Sequence, residues 1–456
     1  MDTRRKSIVL RMPRSLFEHV FVLLREELSA EGACRSLRLC LQRTTLDRQT
    51  LYTALAPEVA NPATSTEHTF LRCQLVQSLE RVPVLYREFR KEVKRDRSPR
   101  DEALLLIGDG GSAADGFLDL LVVGKTLGTR VSPPSVHLRR GSCVELPGPG
   151  FRRISLYTGS RNEPGEGHQD GHQPLRTISA LGEDACAALK NLRVAVVGVS
   201  RTGSLTAERL AHTYCARNLL LVDPDRFEQQ NLAEASALLS DEHVGRNKAE
   251  AMASVLRRRY GTTAQAREEA LTLSNKELIR EIAACDLVIT TTDTVLSRYI
   301  AGWIASLYHL AHLDIGVRIG ASNASARRAV DTRVDARLFF PGYHNECIYC
   351  RDGLHTGNGR FRLEMAARNT QPVGSLTSLN HVAVGIGLRL LEEAAAETLD
   401  GTSHVGIEGY TSETAGTDTI RIDPPEACFC RFAGEGDQRL SYFEDFRSVV
   451  AIDADS

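Results

Sequence analysis

Between residues 193 and 316 the chain alternates short apolar runs with longer amphipathic ones: RVAVVG, SLTAERLAHTY, NLLLVDPD, KAEAMASVLRRRY, CDLVITTTD, SRYIAGWIASLYH and LAHLDIG. No other feature constrains the fold as tightly. A strand that is apolar at every position must be buried on both faces, and helices between such strands are the usual way to bury them. The pattern predicts an α/β fold, a Rossmann-like doubly wound parallel sheet with helices on either side.

At 456 residues the chain exceeds one average domain. The segment TGSRNEPGEGHQDGHQPL, residues 158–175, is polar and rich in glycine, and reads as a linker. His168 and His172 lie in it among glycines and read as part of a solvated loop. The expected organisation is a separate α+β N-terminal domain over 1–157, the linker 158–175, the doubly wound domain over 176–435 and a tail over 436–456. In the N-terminal domain, residues 14–42 and 69–95 read as helical, and ALLLIGDGG and DLLVV as strands. The 56 basic and 58 acidic residues nearly cancel, which gives no argument for nucleic acid or membrane as partner. The basic run Arg90–Arg100 reads as a solvated helix end. No apolar run approaches the roughly 20 residues of a membrane helix, and the cytoplasm is the expected compartment. In that compartment the 11 cysteines are expected as thiols or metal ligands rather than disulfides.

The stretch VAVVGVSRTGS, residues 194–204, has the form of a strand, a phosphate-type turn and a helix start. Gly198 ends the strand, and Gly203 and Ser204 open the helix, whose free N–H groups suit a phosphate. A packing turn would need the same glycines. Asp223, at the end of the next strand, is placed to accept hydrogen bonds from ribose hydroxyls. Lys248 begins a helix and offers a mobile point charge to phosphate. Asp293 ends the strand CDLVITTTD and could hold magnesium through its carboxylate. Lysine, acid and metal around a triphosphate describe nucleotidyl transfer better than the hydride transfer of an NAD-dependent oxidoreductase.

The series LVDPD…NL…VGRNKAE…DLVITTTD…R…LDIG…CIYC resembles the ThiF/MoeB/HesA family, the adenylating domain of ubiquitin-activating enzymes. The resemblance covers roughly residues 174–432, and HLDIGV and SLTSLNHVAVGI look closest to bacterial members from ubiquitin-like conjugation operons. It implies a ThiF-type sheet that uses ATP and Mg²⁺ to adenylate the C-terminal carboxylate of a ubiquitin-like protein or peptide. It also implies a homodimer and, in some systems, a downstream conjugating protein. By position, Gly198 and Gly203 match the glycine loop, Asp223 the ribose acid, and Asn231 the asparagine of the family's N-L-x-R-Q. Lys248 matches the phosphate lysine and Asp293 the metal-linked aspartate. Arg176 resembles the arginine that family dimers offer to the partner's phosphates; a plain surface charge is the alternative.

The chain departs from this pattern in two places. N-L-x-R-Q reads NLAEA, so Glu234 stands where the family has a phosphate-binding arginine, and Ser200-Arg201-Thr202 fills the centre of the glycine loop. Either Arg201 supplies the missing charge and adenylation survives, or the domain is an inactive scaffold that binds a nucleotide or partner without turnover. Cys347 and Cys350, with Cys428 and Cys430, can form one tetrahedral Zn²⁺ site, although the second pair is C-x-C rather than C-x-x-C. No cysteine lies between Arg351 and Ala427, where a thioester nucleophile is commonly found. Cys186, Cys215 and Cys285 sit in apolar contexts and read as packing residues. In the N-terminal domain, Ser112 and Asp115 of GDGGSAAD fit a JAB-like S-x-x-D, but the chain has no H-x-H. A degenerate JAB-like binding domain and a simple tight turn both remain open there.

Overall fold

The structure is a computed structural model. It describes residues 7–31, 36–45, 49–55, 69–76, 82–95, 102–108, 118–123, 143–155, 175–232, 235–320, 331–342, 347–351, 376–399, 403–408 and 432–440. The chain forms two compact units. The first comprises Met1–Pro147, Arg152–Gly171 and Phe432–Asp437; the second comprises Gly148–Phe151, His172–Arg431 and Gln438–Ser456. The division falls near the expected linker, but two short segments, 148–151 and 432–437, each belong to the unit on the other side of it.

The first unit is built on an eight-stranded sheet of order β6-β5-β4-β2-β3-β1-β7-β8. In chain order these strands are β1 (Ser7–Arg11), β2 (Ser36–Thr45), β3 (Gln49–Ala54), β4 (Thr69–Val76), β5 (Glu102–Gly108), β6 (Leu118–Val123), β7 (Cys143–Leu146) and β8 (Arg152–Ser155). Among the described residues two helices accompany them, α1 (Arg14–Glu31) and α2 (Val82–Arg95). The strands expected in ALLLIGDGG and DLLVV are β5 and β6, an antiparallel pair. The long helices expected over 14–42 and 69–95 need correction. Residues 36–45 form β2 and residues 69–76 form β4, which pair antiparallel with each other. Leu71, Cys73 and Leu75 are buried while Arg72 and Gln74 are half-buried, a period of two that marks a strand. Arg11 of β1 and Glu145 of β7 are register partners. They form a buried ion pair, with Arg11 Nη2 2.8 Å from Glu145 Oε2.

The second unit has a seven-stranded sheet of order β11-β10-β9-β12-β13-β14-β15. Its strands are β9 (Arg193–Val197), β10 (Asn218–Val222), β11 (Thr263–Arg267), β12 (Leu287–Thr290), β13 (Ala311–Gly320), β14 (Asp331–Phe339) and β15 (Ser403–Glu408). β9 to β13 run parallel, and β14 and β15 add an antiparallel edge. The helices are α3 (Leu175–Leu181), α4 (Glu183–Asn191), α5 (Arg201–Thr213), α6 (Gln229–Leu232), α7 (Lys248–Tyr260), α8 (Lys276–Ala283), α9 (Val295–Tyr308), α10 (Ile348–Arg351) and α11 (Thr377–Ala395). This is the expected strand–helix alternation. Val194, Val196, Leu219, Leu221, Leu287 and Ile289 meet helix residues Leu205, Ala249 and Leu391 in one core. α7 shows how local sequence sets an element's ends. Asn247 caps its start by accepting the Glu250 N–H, and Gly261, at φ 64°, turns the chain out of it in the left-handed conformation.

From β9 the chain moves outward through β10 to β11, then returns past β9 to β12 and β13. The order therefore reverses between β9 and β12. Beyond the carboxyl ends of those two strands lies the crevice in which doubly wound sheets place their ligands. Among the described residues no helix is long and apolar enough to cross a membrane.

Candidate functional site

Four segments reach this crevice: the β9–α5 loop, the β10–α6 loop, the start of α7 and the β12–α9 loop. The first is shaped by its glycines. Gly198 has φ 89°, and a Cβ there would lie 2.9 Å from Thr292 N. Gly203 sits in the first turn of α5, where a Cβ would lie 1.9 Å from Gly198 O and 2.6 Å from Thr291 Oγ1. The loop folds back on itself and against β12, so only glycine fits at either position. Arg201 and Thr202 begin α5 and are half-buried. Ser204 is buried; its hydroxyl donates to Arg201 O and accepts from Ser236 N, which braces the turn from beneath.

Asp223 lies just beyond β10, beside β9. Its Oδ2 accepts the Val199 N–H at 2.6 Å and its Oδ1 accepts the Asp225 N–H at 2.9 Å. The acid expected at the ribose is therefore bonded to the backbone of the glycine loop. Burial raises its carboxyl above the ordinary range, while the Val199 and Asp225 N–H groups and the charge of Lys248 oppose that rise. Asn231 is buried in α6 and accepts the Glu228 N–H at 3.0 Å, closing its own turn. Lys248 is the first residue of α7, and its Nζ lies 2.8 Å from Asp225 Oδ2. The lysine is buried but the Asp225 side chain is 67% exposed. The charge of Lys248 is thus held at the crevice by an acid that faces solvent.

Asp293 follows β12 and is exposed; Thr294 Oγ1 contacts its Oδ1 at 3.5 Å. Arg176, on α3, is exposed. Gly198, Gly203, Asp223, Lys248 and Asp293 stand at the same ends of neighbouring strands or on the loops that follow them. Glu234, Ser112, Asp115, His168 and His172 lie outside the described residues.

Several residues at the crevice were not singled out from sequence. Asn247 donates from Nδ2 to Asp223 O at 2.7 Å and to Asp225 O at 3.1 Å while capping α7. One side chain thereby locks the β10–α6 loop to the start of α7. Its signal was present, an asparagine directly before a helix start. The threonines of VITTTD were visible as a strand end, but the bonds they make were not. Thr291 Oγ1 donates to Gly198 O at 2.6 Å, tying β12 to the glycine loop.

Cys347 and Cys350 are buried, with Sγ atoms 3.9 Å apart; Cys428 and Cys430 lie outside the described residues. Among the described residues no group of three or more His, Cys, Asp or Glu is placed to hold a metal. Cys186 and Cys215 are half-buried and Cys285 is buried. Burial, with Glu392 nearby, pushes the Cys186 thiol up, which disfavours the reactive thiolate.

Sheet order, switch point and glycine turn define the Rossmann-like doubly wound class. Residues 172–326 match the ThiF family. Over 82 residues it is 42% identical to the tRNA threonylcarbamoyladenosine dehydratase of Bacillus subtilis (strain 168). That stretch is 18% of this chain and 31% of the relative, so the chain spans under a third of that protein's length. Among solved structures, E. coli MccB with ATP is similar at 16% identity and a TM-score of 0.44, over 56% of this chain and 72% of that one. PaaA is similar at 15% identity and a TM-score of 0.42, over 58% of this chain and 77% of that one.

Proposed function

We propose that the second unit adenylates a carboxylate, that of a ubiquitin-like protein or peptide C-terminus, at the expense of ATP. The observation that carries this reading is the bond from the Val199 N–H to Asp223 Oδ2. It couples a ribose-binding acid after β10 to a phosphate-binding turn after β9, beside the reversal point of the sheet, in a segment that matches the ThiF family.

The glycine turn and the N–H groups that open α5 suit the phosphates. Asp223, held by two backbone N–H groups, keeps lone pairs for ribose hydroxyls. Lys248 supplies positive charge, and an entering triphosphate competes with Asp225 for it. Arg201, in the first turn of α5, offers the cation that the family pattern has at the position of Glu234. Asp293, exposed and unburdened by burial, is the carboxylate suited to magnesium, which when bound neutralises phosphate charge. The substrate carboxylate oxygen attacks the α-phosphorus, the bond from that phosphorus to the bridging oxygen breaks, and pyrophosphate leaves with the electron pair. The product is an acyl-adenylate. In this reading a homodimer forms and Arg176, exposed on α3, reaches the partner's phosphates.

A structural zinc bound by Cys347, Cys350, Cys428 and Cys430 completes the proposal. Two thiolates on one tetrahedral zinc stand about 3.8 Å apart given Zn–S bonds of about 2.3 Å, and Cys347 and Cys350 are already at 3.9 Å.

The test is ATP–pyrophosphate exchange with candidate carboxylate substrates encoded beside this gene. Exchange in wild type that is lost in Arg201→Ala supports adenylation with a loop arginine. Nucleotide binding with every candidate but no exchange would identify a non-catalytic scaffold instead.

A further inference from the structure

The threonines that carry β12 into the crevice are each tied to a different element. Thr290 Oγ1 donates to Asp314 Oδ1 of β13 at 2.6 Å. Thr291 Oγ1 donates to Gly198 O. Thr292 Oγ1 accepts the Thr294 N–H at 3.0 Å. The carbonyl of Thr292, the last before Asp293, accepts from Arg298 Nε at 2.9 Å.

Arg298 comes from the first turns of α9, and its guanidinium has three duties. Besides Thr292 O, its Nη1 bonds the Asp314 carboxylate and donates to Ile315 O at 3.1 Å. Arg337 of β14 takes the other oxygen of Asp314, with Nε 3.2 Å from Oδ2. Asp314 is 1% exposed. A buried ion network of this kind is weak evidence for stability, because apolar residues of similar volume often serve as well. Its geometry is more informative than its charge. Asp314 fixes one end of a planar fork whose other edge holds the peptide leading into Asp293. Asp293 itself is exposed, and its carboxylate is met by Thr294 Oγ1 of the same loop at a long 3.5 Å, so its direction follows chiefly from that peptide.

We infer that Arg298 is a positioning residue for Asp293: anchored on buried Asp314, it holds the Thr292 carbonyl and thereby aims the carboxylate assigned to magnesium. The link to magnesium rests on the adenylation reading; the clamp on the loop does not.

The test compares wild type, Arg298→Lys and Arg337→Lys in the full chain. Lysine keeps a charge against Asp314 but cannot serve three acceptors from one plane. In ligand-free protein, hydrogen exchange in the peptide covering 290–294 is expected to quicken about tenfold in Arg298→Lys, as loss of a charge-assisted bond permits local opening. Arg337→Lys, which does not touch Thr292, is expected to leave that exchange at the wild-type rate. In ATP–pyrophosphate exchange, the magnesium concentration for half-maximal rate is expected to rise about tenfold in Arg298→Lys, with ATP half-saturation little changed. A merely structural role would lower the melting temperature and leave magnesium dependence alone. Unchanged loop exchange in a folded Arg298→Lys overturns the clamp. Faster exchange with wild-type magnesium dependence overturns its connection to Asp293. A wild type without any pyrophosphate exchange defeats the adenylation reading, and hydrogen exchange alone then decides whether the clamp stands. If Arg298→Lys does not fold, Asp314→Asn, which loosens the same anchor, must quicken the 290–294 peptide or the proposal fails.

Discussion

Gly203 and Gly385 form a matched pair that tests whether the glycine turn is built as described. Both lie inside helices, α5 and α11, and neither has a positive φ. Replacing glycine by alanine in a helix interior normally stabilises by about 0.5–1 kcal/mol. At Gly385 a new Cβ would meet nothing within 4 Å, so Gly385→Ala should gain that amount. At Gly203 the new Cβ would lie 1.9 Å from Gly198 O, well inside the 3.0 Å limit of real contacts. The obstacle is backbone, so α5 and the loop must separate by about 1.1 Å. Overpacking of this kind costs about 1–3 kcal/mol, more than the helix gain returns. The helix gain is common to both, so the two variants should differ by the overpacking cost, about 1–3 kcal/mol. For a unit of this size that is roughly 2–12 °C in the calorimetric transition. Gly203→Ala should also slow pyrophosphate exchange, because the displaced turn is the one assigned to phosphate. A Gly203→Ala protein that melts at or above the temperature of Gly385→Ala would refute the close approach of α5 to Gly198.

Asn247→Ala removes an N-cap and the bonds to Asp223 O and Asp225 O, and should cost about 1–3 kcal/mol together with a weaker affinity for ATP, measured by calorimetric titration. Burial holds the His312 imidazole down from the ordinary 6.5 to about 4, helped by Arg337 and Arg298 and opposed by Asp314. The unfolded chain therefore binds more protons between these values, and stability falls as pH drops through that window, by on the order of 3 kcal/mol at most. Urea melts of His312→Gln should be flatter from pH 6.5 to 4, and an unchanged slope would exclude His312 as the source. Burial alone would raise the Asp314 carboxyl, but Arg298 and Arg337 outweigh it and hold it well below the usual range, so its contribution is present above the unfolded value near 3.9 and is lost only on further acidification. Purified protein should carry about one zinc per chain if the cysteine pairs act together, and metal analysis of Cys347→Ser should show its loss.

The parallel half of the second sheet was legible because burial on both faces leaves few positions for polar residues. RVAVV and LVIT advertise their place in the sheet by composition alone. β14 did not, because Asp331, Arg333, Asp335 and Arg337 alternate with Val334, Ala336 and Leu338 and dilute the apolar signal. β2 and β4 were lost for a related reason. Their strand periods abut true helices, and a leucine-rich run read at low resolution matches either period. At the site, glycine and aspartate positions were readable because a strand-turn-helix junction constrains them locally. Arg298 was visible as the arginine between DLVITTTD and LDIG in the family pattern and as a basic residue on an apolar helix, but not as a clamp. Its partner Asp314 stands 16 positions away, and nothing in either local sequence specifies that pairing. Asn247 could have been found from its cap position, but its bonds to the β10 loop depend on the fold.

The exchange of short segments between the two units bears on how the protein is made. Gly150 N–H donates to Ala394 O at 2.8 Å within the second unit, and Phe151 packs on Phe340 with ring centroids 5.7 Å apart. In the first unit, Thr53 Oγ1 donates to Gly434 O at 2.5 Å. A ribosome delivers residues 7–155 long before residue 434, so until nearly the whole second unit has emerged Thr53 has only its longer bond to Gln42 O, at 3.4 Å, within the first unit. Domains that fold as they are synthesised usually complete themselves in order; here the first to appear is the last to be finished. A fragment cut at the 158–175 boundary would leave each half without a piece that the other half carries.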